Sequence, residues 1–329
     1  MTWMVTGGAG YIGAHVVRAM AADGQRVVVY DDLSTGDAAR VPQDVPLVRG
    51  TVLDRAALDA AIRDHGVTGV VHIAAKKQVP ESVARPLHYY RENVTGLQTL
   101  LEAVADAGVR RLVFSSSAAV YGMPDVDLVT EDTPCAPVNP YGETKLAGEW
   151  MVKAAGAAHG IGNVSLRYFN VAGAATPELG DTGVSNLVPM VFERLEAGGA
   201  PRIFGDDYDT PDGTCVRDFV HVRDIASAHL AAARRLTEAA GEDASDGPLS
   251  LVLNIGRGEG VSVRDMVERI CKTTGHEDTR PEVHDRRPGD PARVVASADR
   301  IRAELGWSAR HGVEEMIESA WAGWRLRHP

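Results

Sequence analysis

The chain has 329 residues, 44% of them hydrophobic, so it can bury a large core and is not expected to be extensively disordered. Its formal net charge of −11 gives it no electrostatic attraction to nucleic acid or to anionic lipid. We therefore expect neither nucleic acid nor a membrane among its partners. A phosphorylated ligand would have to be held by a few local basic side chains.

The cysteines and the apolar runs favour a cytoplasmic protein. Cys135, Cys215 and Cys271 are far apart and form no CxxC pair, which is typical of a reducing compartment. No metal is expected, because the histidines show no metal-ligand spacing. The apolar start Trp3–Thr6 runs straight into a glycine turn, unlike a signal peptide, and no apolar run reaches the length of a membrane helix.

Strand-like and helix-like segments alternate through the first half of the chain. The predicted strands are Trp3–Thr6, Arg26–Tyr30, Gly69–Ile73, Leu112–Ser115 and Val164–Tyr168. The predicted helices are Tyr11–Ala22, one capped by Asp54, Asn93–Ala107 and Tyr141–Ala158. The predicted fold class is α/β, a Rossmann-type doubly wound parallel sheet with a smaller α/β domain that binds substrate.

The alternation loosens after about Ala174, where Gly and Pro become frequent. Ser262 and Asp265 form a helix-start signature before Met266–Thr273, and a last helix is predicted over Val313–Leu326. We predict a first domain at residues 1–173 and a second at 174–329. Part of the second domain, about 215–240, is expected to pack back onto the first.

A glycine-rich turn, GGAGYIG at residues 7–13, follows the first predicted strand and begins the first predicted helix. Gly10 would let the backbone approach a pyrophosphate, and Gly13 would let helix and strand pack closely. The positive end of the helix would then stabilise the phosphate charge. Because a predicted strand precedes the turn and a predicted helix follows it, as in dinucleotide-binding motifs, the turn predicts a dinucleotide-binding site.

Two carboxylates at the end of the second predicted strand indicate which dinucleotide is bound. Asp31 stands where a carboxylate accepts hydrogen bonds from the adenosine ribose hydroxyls, and Asp32 follows it. Together they would repel a 2′-phosphate, and no arginine follows until Arg40. NAD is therefore favoured over NADP, unless both aspartates are ordinary turn residues.

A tyrosine and a lysine at the start of a predicted helix form a YxxxK pair. Tyr141 and Lys145 are four residues apart, which puts both side chains on one helix face. An ammonium group near a phenol favours the phenolate, so Tyr141 is a candidate general base. The run Ser115-Ser116-Ser117 sits just after an earlier predicted strand, at the sheet edge where open α/β folds bind ligands.

In this combination the sequence resembles the extended short-chain dehydrogenase/reductase superfamily. The resemblance implies that Tyr141 is the base, that Lys145 is its partner and that Ser117 bonds the reacting hydroxyl. Asn93 matches the family's structural asparagine near the nicotinamide.

Longer strings resemble UDP-hexose 4-epimerases and occur in the family's order along essentially the whole chain. They are TGGAGYIG at 6–13, HIAAKK at 72–77, SSSAAVYG at 115–122, YFNVAGA at 168–174, NLVP at 186–189, FGDDY at 204–208, GTCVRD at 213–218 and RRPGDP at 286–291. The resemblance implies a first domain that binds NAD and a second that binds the UDP-sugar. It also implies a homodimer formed by helices of the first domain, such as Asn93–Ala107.

The motifs and the resemblance together predict the site residues. The predicted catalytic residues are Tyr141, Lys145 and Ser117. The predicted cofactor-binding residues are Gly7, Gly10, Tyr11, Ile12, Gly13, Asp31, Asp32, Leu33, Ser34, Thr35, Gly36, Thr51, Val52, Ile73, Ala74, Ala75, Lys77, Asn93, Ser115, Tyr141, Lys145, Tyr168 and Phe169. The predicted substrate-binding residues are Ser117, Tyr141, Asn170, Asn186, Leu187, Phe204, Arg217, Arg287 and Asp290.

The reaction that the resemblance implies is NAD-dependent epimerisation at C4 of a UDP-hexose, UDP-glucose or UDP-galactose, through a transient 4-keto sugar. The enzyme would be an isomerase. The resemblance also implies that Arg217 and Arg287 hold the substrate pyrophosphate, and this agrees with the bidentate contacts that guanidinium groups make to phosphate. A firmly held UDP and a loosely held sugar ring would let the ring turn over.

Two positions depart from the family's pattern. Thr51 stands where these enzymes usually have an aspartate beside the adenine, so we expect looser retention of the cofactor. Val294 stands where some relatives have a large aromatic residue that narrows the sugar pocket. A small side chain there predicts that N-acetylated hexoses also fit.

Other functions stay open. Epimerases for UDP-GlcNAc, UDP-glucuronate or a UDP-pentose share nearly all of these strings. A 4,6-dehydratase or a decarboxylase is a further alternative, but dehydratases place an Asp-Glu pair where Ala118 and Ala119 stand. A non-catalytic NAD-sensing protein is the remaining one, although such proteins tend to lose the tyrosine or the lysine.

Overall fold

The computed structural model describes residues 1–240, 247–287 and 289–328. Pro288, in the last of the strings above, lies outside the described residues. No helix within the described ranges combines the length and the apolar character that crossing a membrane requires.

Strands and α-helices alternate along most of the chain. The strands are β1 (Thr2–Thr6), β2 (Arg26–Asp31), β3 (Leu47–Arg49), β4 (Gly69–His72), β5 (Arg111–Ser117), β6 (Gly162–Tyr168), β7 (Asn170–Ala172), β8 (Arg202–Phe204), β9 (Val216–His221), β10 (Ser250–Ile255), β11 (Gly260–Ser262), β12 (Glu282–His284) and β13 (Arg293–Val294). The α-helices are α1 (Tyr11–Ala22), α2 (Arg55–Asp64), α3 (Val79–Ala84), α4 (Pro86–Tyr89), α5 (Gly96–Asp106), α6 (Pro140–His159), α7 (Leu187–Glu196), α8 (Val222–Ala239), α9 (Val263–Thr273), α10 (Asp299–Leu305) and α11 (Val313–Arg327).

The chain forms two compact units, and each consists of three stretches of sequence. Unit 1 comprises Met1–Val120, Pro137–Arg167 and Ala226–Leu253, and unit 2 comprises Tyr121–Ala136, Tyr168–Ile225 and Asn254–Pro329. The functional division expected from the sequence, with domains at 1–173 and 174–329, stays a prediction.

Unit 1 is built on a seven-stranded sheet with the order β10-β6-β5-β4-β1-β2-β3. β1 pairs in parallel with both β2 and β4, so the strand order reverses direction at β1. Helices α2 and α5 cover the sheet with apolar side chains, among them Leu58, Leu97 and Leu100. The predicted fold class is confirmed: the sheet is mostly parallel and Rossmann-like.

Unit 2 contains smaller sheets and its own core. β9 is the central strand, paired antiparallel with β11 and in parallel with β13 and β7. β8 and β12 form a separate parallel pair. Side chains of α7, α9 and α11, including Phe192, Ile270 and Trp324, form the apolar cluster of this unit.

Two predicted helix starts are confirmed by hydrogen bonds. Asp54 accepts from the N–H of Ala57 at the start of α2, and Ser262 accepts from the N–H of Asp265 at the start of α9. The predicted helix start at Asn93 is wrong, because a helical run begins at Pro86 and continues through a π-helical stretch, Tyr90–Thr95, into α5. Proline favours the first turn of a helix, and this signal was present at Pro86.

Candidate active site

The glycine turn after β1 has almost no room for side chains. Gly7 has a φ of +72°, and a Cβ atom there would lie 2.7 Å from the backbone nitrogen of Ala74. A Cβ on Gly13 would lie 2.0 Å from the carbonyl oxygen of Gly7. Among the described residues, a Cβ on Gly10 would have that same oxygen, at 3.3 Å, as its one neighbour within 4 Å. The turn can therefore form only with glycine at 7 and 13, while position 10 is open.

The N-terminus of α1 points out of this turn. Gly10 is its N-cap, and none of the described side chains caps this end of the helix. Uncapped N–H groups at a helix start favour an anion, and here they adjoin the open position at Gly10. The residues of the turn therefore fit the pyrophosphate of a dinucleotide.

Asp31 lies at the end of β2 and fixes two backbone segments. Its carboxylate accepts from the N–H of Ala9 and from the N–H of Leu33, both at 2.9 Å. Burial raises the pKa of Asp31, and these two hydrogen bonds oppose the rise. Leu33 has a φ of +59°, which is uncommon for a residue with a side chain. Since a carboxylate has about four acceptor sites, Asp31 keeps capacity for ribose hydroxyls.

Asn93 joins the loop after β4 to helix α6. Its Oδ1 accepts from the N–H of Lys76 at 2.8 Å, and its Nδ2 donates to the carbonyl of Lys76 and to Thr144 Oγ1, both at 3.0 Å. Asn93 is buried. It therefore fixes the 73–77 loop beside the helix that contains Tyr141 and Lys145.

The predicted catalytic residues of unit 1 lie together. A side-chain hydrogen bond joins Ser117 to Tyr141, and Lys145 Nζ donates to the carbonyl oxygen of Ser115 at 2.7 Å. Asn139 begins α6 by accepting from the N–H of Gly142 at 2.9 Å, which fixes where Tyr141 enters the helix. The end of β5 and the first turns of α6 thus form one cluster.

Burial dominates the electrostatics of this cluster. It raises the pKa of Tyr141, and the hydrogen bond with Ser117 opposes the rise. Burial lowers the pKa of Lys145 to about 8, and the negative charge of Glu149 opposes this. Burial and the charge of Lys145 lower the pKa of His72 to about 3, so His72 is neutral at physiological pH. Lys145 is then the positive group of the cluster.

A buried network that the sequence analysis missed lies behind these residues. Arg167 donates to both carboxylate oxygens of Glu149, at 2.8 and 2.6 Å, and Ser116 donates to Glu149 Oε1 at 2.5 Å. Ser115 Oγ lies 2.9 Å from Nε2 of His229 on α8. One signal was present in the sequence, because Glu149 follows Lys145 by one helical turn.

The predicted substrate residues lie in unit 2. Arg217 on β9 lies 3.9 Å from Asp290, measured between Nη2 and Oδ1. The guanidinium carbon of Arg287 lies 3.7 Å from the ring centre of Phe204, which also stacks on His284. The structure therefore groups Arg217 with Asp290 and Arg287 with Phe204.

The remaining predicted residues of unit 2 are distributed over three elements. Tyr168 ends β6, Phe169 is buried just after it, and Asn170 begins β7. Asn186 is the N-cap of α7 and Leu187 its first residue, while Asn186 Nδ2 donates to Asp181 at 3.3 Å. The ligand-binding roles of these residues stay predictions.

A family model described as "NAD dependent epimerase/dehydratase family" matches residues 3–256, more than three quarters of the chain. The chain belongs to this family. Within it, the resemblance predicted from the sequence is confirmed by relatives of nearly the same length.

UDP-glucose 4-epimerases are among the similar members of the NAD dependent epimerase/dehydratase family. The one from Azospirillum brasilense is 46% identical over 96% of this chain and 90% of its own. The one from Streptomyces lividans is 44% identical over 99% and 97%. A crystal structure of UDP-glucose-4-epimerase from Stenotrophomonas maltophila with bound NAD and formylated UDP-arabinopyranose superposes with a TM-score of 0.92, at 38% identity, over 100% of this chain and 99% of that one.

Proposed function

We propose that this protein is an NAD-dependent isomerase that inverts the configuration at C4 of a UDP-hexose, converting UDP-glucose and UDP-galactose. The main support is the hydrogen bond between Ser117 and Tyr141, with Lys145 one helical turn further on. Full-length relatives that are UDP-glucose 4-epimerases support the same reaction. An NAD-sensing protein without catalysis would have no use for this buried cluster.

We propose that NAD lies along the carboxyl ends of β1, β2 and β4. The open position at Gly10 and the uncapped start of α1 suit its pyrophosphate. Asp31 suits the hydroxyl groups of the adenosine ribose. Its negative charge and that of Asp32 would repel the 2′-phosphate of NADP, which favours NAD. Lys77, Asn93 and Lys145 would contact the rest of the cofactor. Thr51 already accepts from the N–H of Leu53 at 3.3 Å, which leaves its hydroxyl less able to hold adenine than an aspartate.

The chemistry that NAD supplies when bound is reversible hydride exchange at C4, by way of a transient 4-keto sugar. Tyr141 takes the proton of the C4 hydroxyl at its phenolic oxygen and later returns it. Ser117 hydrogen-bonds to that same oxygen and helps to orient the hydroxyl. Because burial raises the pKa of Tyr141, its phenolate needs nearby positive charge, which the Lys145 ammonium provides at neutral pH.

We propose that unit 2 holds the nucleotide. Arg217 and Arg287 would bind the pyrophosphate, Asp290 the uridine ribose and Phe204 the uracil. The contact of Arg287 with the Phe204 ring orients a planar guanidinium, which suits bidentate phosphate binding. Asn170, Asn186 and Leu187 would contact the sugar and the uridine.

The direct test is an incubation of purified protein with UDP-galactose without added NAD, with UDP-glucose followed by NMR. Conversion is the expected result, and it would also demonstrate retained cofactor. Conversion only after NAD is added would agree with weak retention through Thr51. No conversion under either condition would contradict the proposal for these sugars.

A second candidate substrate is the N-acetylated sugar, UDP-GlcNAc. Val294 is buried on β13, directly opposite Arg217 in the pairing of β13 with β9. A small residue next to a proposed pyrophosphate ligand leaves more room for an N-acetyl group than an aromatic would. We expect wild-type protein to epimerise UDP-GlcNAc and Val294→Tyr to lose this activity while it keeps UDP-galactose turnover. Equal loss of both activities would contradict the idea.

We further propose a cytoplasmic homodimer formed by helices of unit 1. Leu87 is 81% exposed, Trp150 65% and Val83 62%, and these residues lie on α4, α6 and α3. Helices α3 and α4 both pack against α6, so the three exposed side chains lie on neighbouring helices. Trp150→Glu with Leu87→Glu should shift the mass measured by light scattering from dimer to monomer. A wild-type protein that is monomeric at micromolar concentration would contradict the proposal.

A further inference from the structure

Arg217 and Asp218 are neighbours on β9 and point to opposite faces of the strand. Arg217 lies on the face with Asp290, the proposed ribose ligand. Asp218 is completely buried on the other face. One strand therefore combines a proposed substrate ligand with a buried carboxyl group.

The Asp218 carboxylate holds two separate segments of unit 2 through backbone N–H groups. Arg257 and Gly258, in the loop after β10, donate to it at 2.9 and 3.0 Å. Ala296, just beyond β13, donates to Oδ2 at 3.2 Å. The loop approaches so closely that a Cβ atom on Gly256 would lie 2.6 Å from the same oxygen.

The segment that Asp218 holds pairs with its neighbours over short stretches. β13 has only two residues, which pair Arg293 with Val216 and Val294 with Arg217. Beyond it, the N–H of Val129 donates to the carbonyl of Val295 at 2.7 Å. Residues 289–294 include Asp290 and Val294, which are both proposed to face the nucleotide sugar. Any slip of β13 against β9 would move them relative to Arg217.

We propose that Asp218 is a positioning residue for the nucleotide: it fixes residues 289–296 against β9, so that Asp290 and Val294 keep their places around Arg217. This proposal rests on the UDP-binding role assigned above. Asp218 does not touch the substrate in this arrangement. Its removal should weaken UDP binding while the chemistry at Tyr141 stays intact.

Burial makes the ionised form of Asp218 unfavourable, so the presence of a carboxyl group at this position indicates a specific role. Burial raises the pKa of Asp218 to about 6, although three N–H groups and the charge of Arg257 favour its ionised form. An uncharged side chain would avoid that cost but would lose acceptor sites for the two segments.

The test compares Asp218→Asn with a matched control, Asp224→Asn. Asp224 is also buried in unit 2 and accepts from the N–H groups of Arg310 and His311, at 3.1 and 3.0 Å, in the segment that leads into α11. We expect Asp218→Asn to raise the Kd for UDP, measured by calorimetry, and the KM for UDP-galactose by about tenfold, with kcat within threefold. Asp224→Asn should leave the UDP Kd within twofold, at a similar loss of thermal stability.

A UDP Kd that changes equally in both variants, or in neither, would overturn the proposal. If Asp218→Asn fails to fold, Gly256→Ala serves instead, because its methyl group would press on both Asp218 Oδ2 and the Cβ atom of Ala296, at 2.6 and 2.4 Å. It would thus disturb the same junction without removing the charge. We expect a smaller rise of the UDP Kd in that variant, and no rise would count against the proposal. If the wild-type protein binds UDP but has no epimerase activity, the proposed reaction is contradicted. The positioning role is then tested by the UDP Kd of the two variants alone.

Discussion

Glu149 and Arg167 form a bidentate ion pair with nitrogen–oxygen distances of 2.8 and 2.6 Å, and both side chains are more than nine-tenths buried. Glu149 also accepts a hydrogen bond from Ser116. Its charge opposes the fall in the pKa of Lys145 that burial causes, and Lys145 lies one helical turn before it. This buried ion pair therefore influences the protonation state of Lys145, the proposed catalytic lysine.

Glu149→Gln should destabilise the protein strongly. The change removes the charge of the carboxylate and leaves the buried guanidinium of Arg167 without its counter-charge. Breaking a buried pair in this way costs about 3–5 kcal/mol of unfolding free energy. Urea unfolding monitored by circular dichroism measures the loss.

The double variant Glu149→Met with Arg167→Met serves as the control for that prediction. It removes both charges and fills the space with apolar atoms, so it should be more stable than Glu149→Gln. If the double variant were as unstable as the single one, the loss would come from packing or from Ser116 rather than from the unbalanced charge.

Tyr141→Phe should abolish epimerisation and leave the fold unchanged. The substitution removes only the hydroxyl that is proposed to move the C4 proton, and general acid–base groups contribute about 10²–10⁴-fold in rate. Tyr121→Phe is the matched control, because it removes another buried hydroxyl, bonded to Asn254 at 2.6 Å. NMR turnover assays should show normal kcat in the control; near-normal turnover in Tyr141→Phe would exclude it as the base.

The stability of the cofactor-free protein should depend on the ionisation of Lys145 in alkaline solution. The pKa of this lysine is about 8 in the folded chain and 10.5 in the unfolded one, so between these values the unfolded state binds more protons. Stability contributed by this group should therefore rise with pH in that window, by up to about 1.4 kcal/mol per pH unit.

Urea unfolding of wild type and Lys145→Met, from pH about 7 to about 10, isolates this contribution. The difference in unfolding free energy between the two proteins should change in favour of the wild type as the pH rises. A difference that is constant with pH would mean that Lys145 ionises as an ordinary exposed lysine.

The two glycines of the first turn should respond differently to alanine. Gly13→Ala should lower the melting temperature sharply, because the added methyl group would lie 2.0 Å from the Gly7 carbonyl oxygen. Gly10→Ala should keep the melting temperature of the cofactor-free protein but weaken NAD binding, since it fills the open position. Thermal scans and calorimetric NAD titrations distinguish the two; equal stability of both variants would contradict the steric argument.

Much of unit 1 could be predicted from the sequence because its signals are local. Alternating apolar runs and helix caps predict elements such as Tyr11–Ala22, whose bounds the structure reproduces. The cluster of Ser117, Tyr141 and Lys145 was also predictable, since strand ends of a parallel sheet meet at one edge.

The contacts that were not predictable join residues far apart in sequence. Arg167 reaches Glu149 from another element, and Asp218 is bonded to N–H groups about forty and eighty residues later. A single sequence contains no signal for such pairs, because each residue alone also fits an ordinary surface charge. The helical run from Pro86 was missed for a different reason: the π-helical stretch at Tyr90–Thr95 interrupts the regular spacing of apolar residues.

The edge strand β10 covers β6, and it comes much later in the chain than the rest of the large sheet. β10 lies beside β6 at one end of the large sheet, and the N–H of Asn163 donates to the carbonyl of Leu249 at 2.7 Å. A nascent chain that has emerged only as far as β6 would present an unpaired strand edge until about eighty more residues leave the ribosome, and such edges promote aggregation. A fragment ending near residue 173 would keep that edge exposed permanently, so an isolated nucleotide-binding half should precipitate unless β10 is fused back to it.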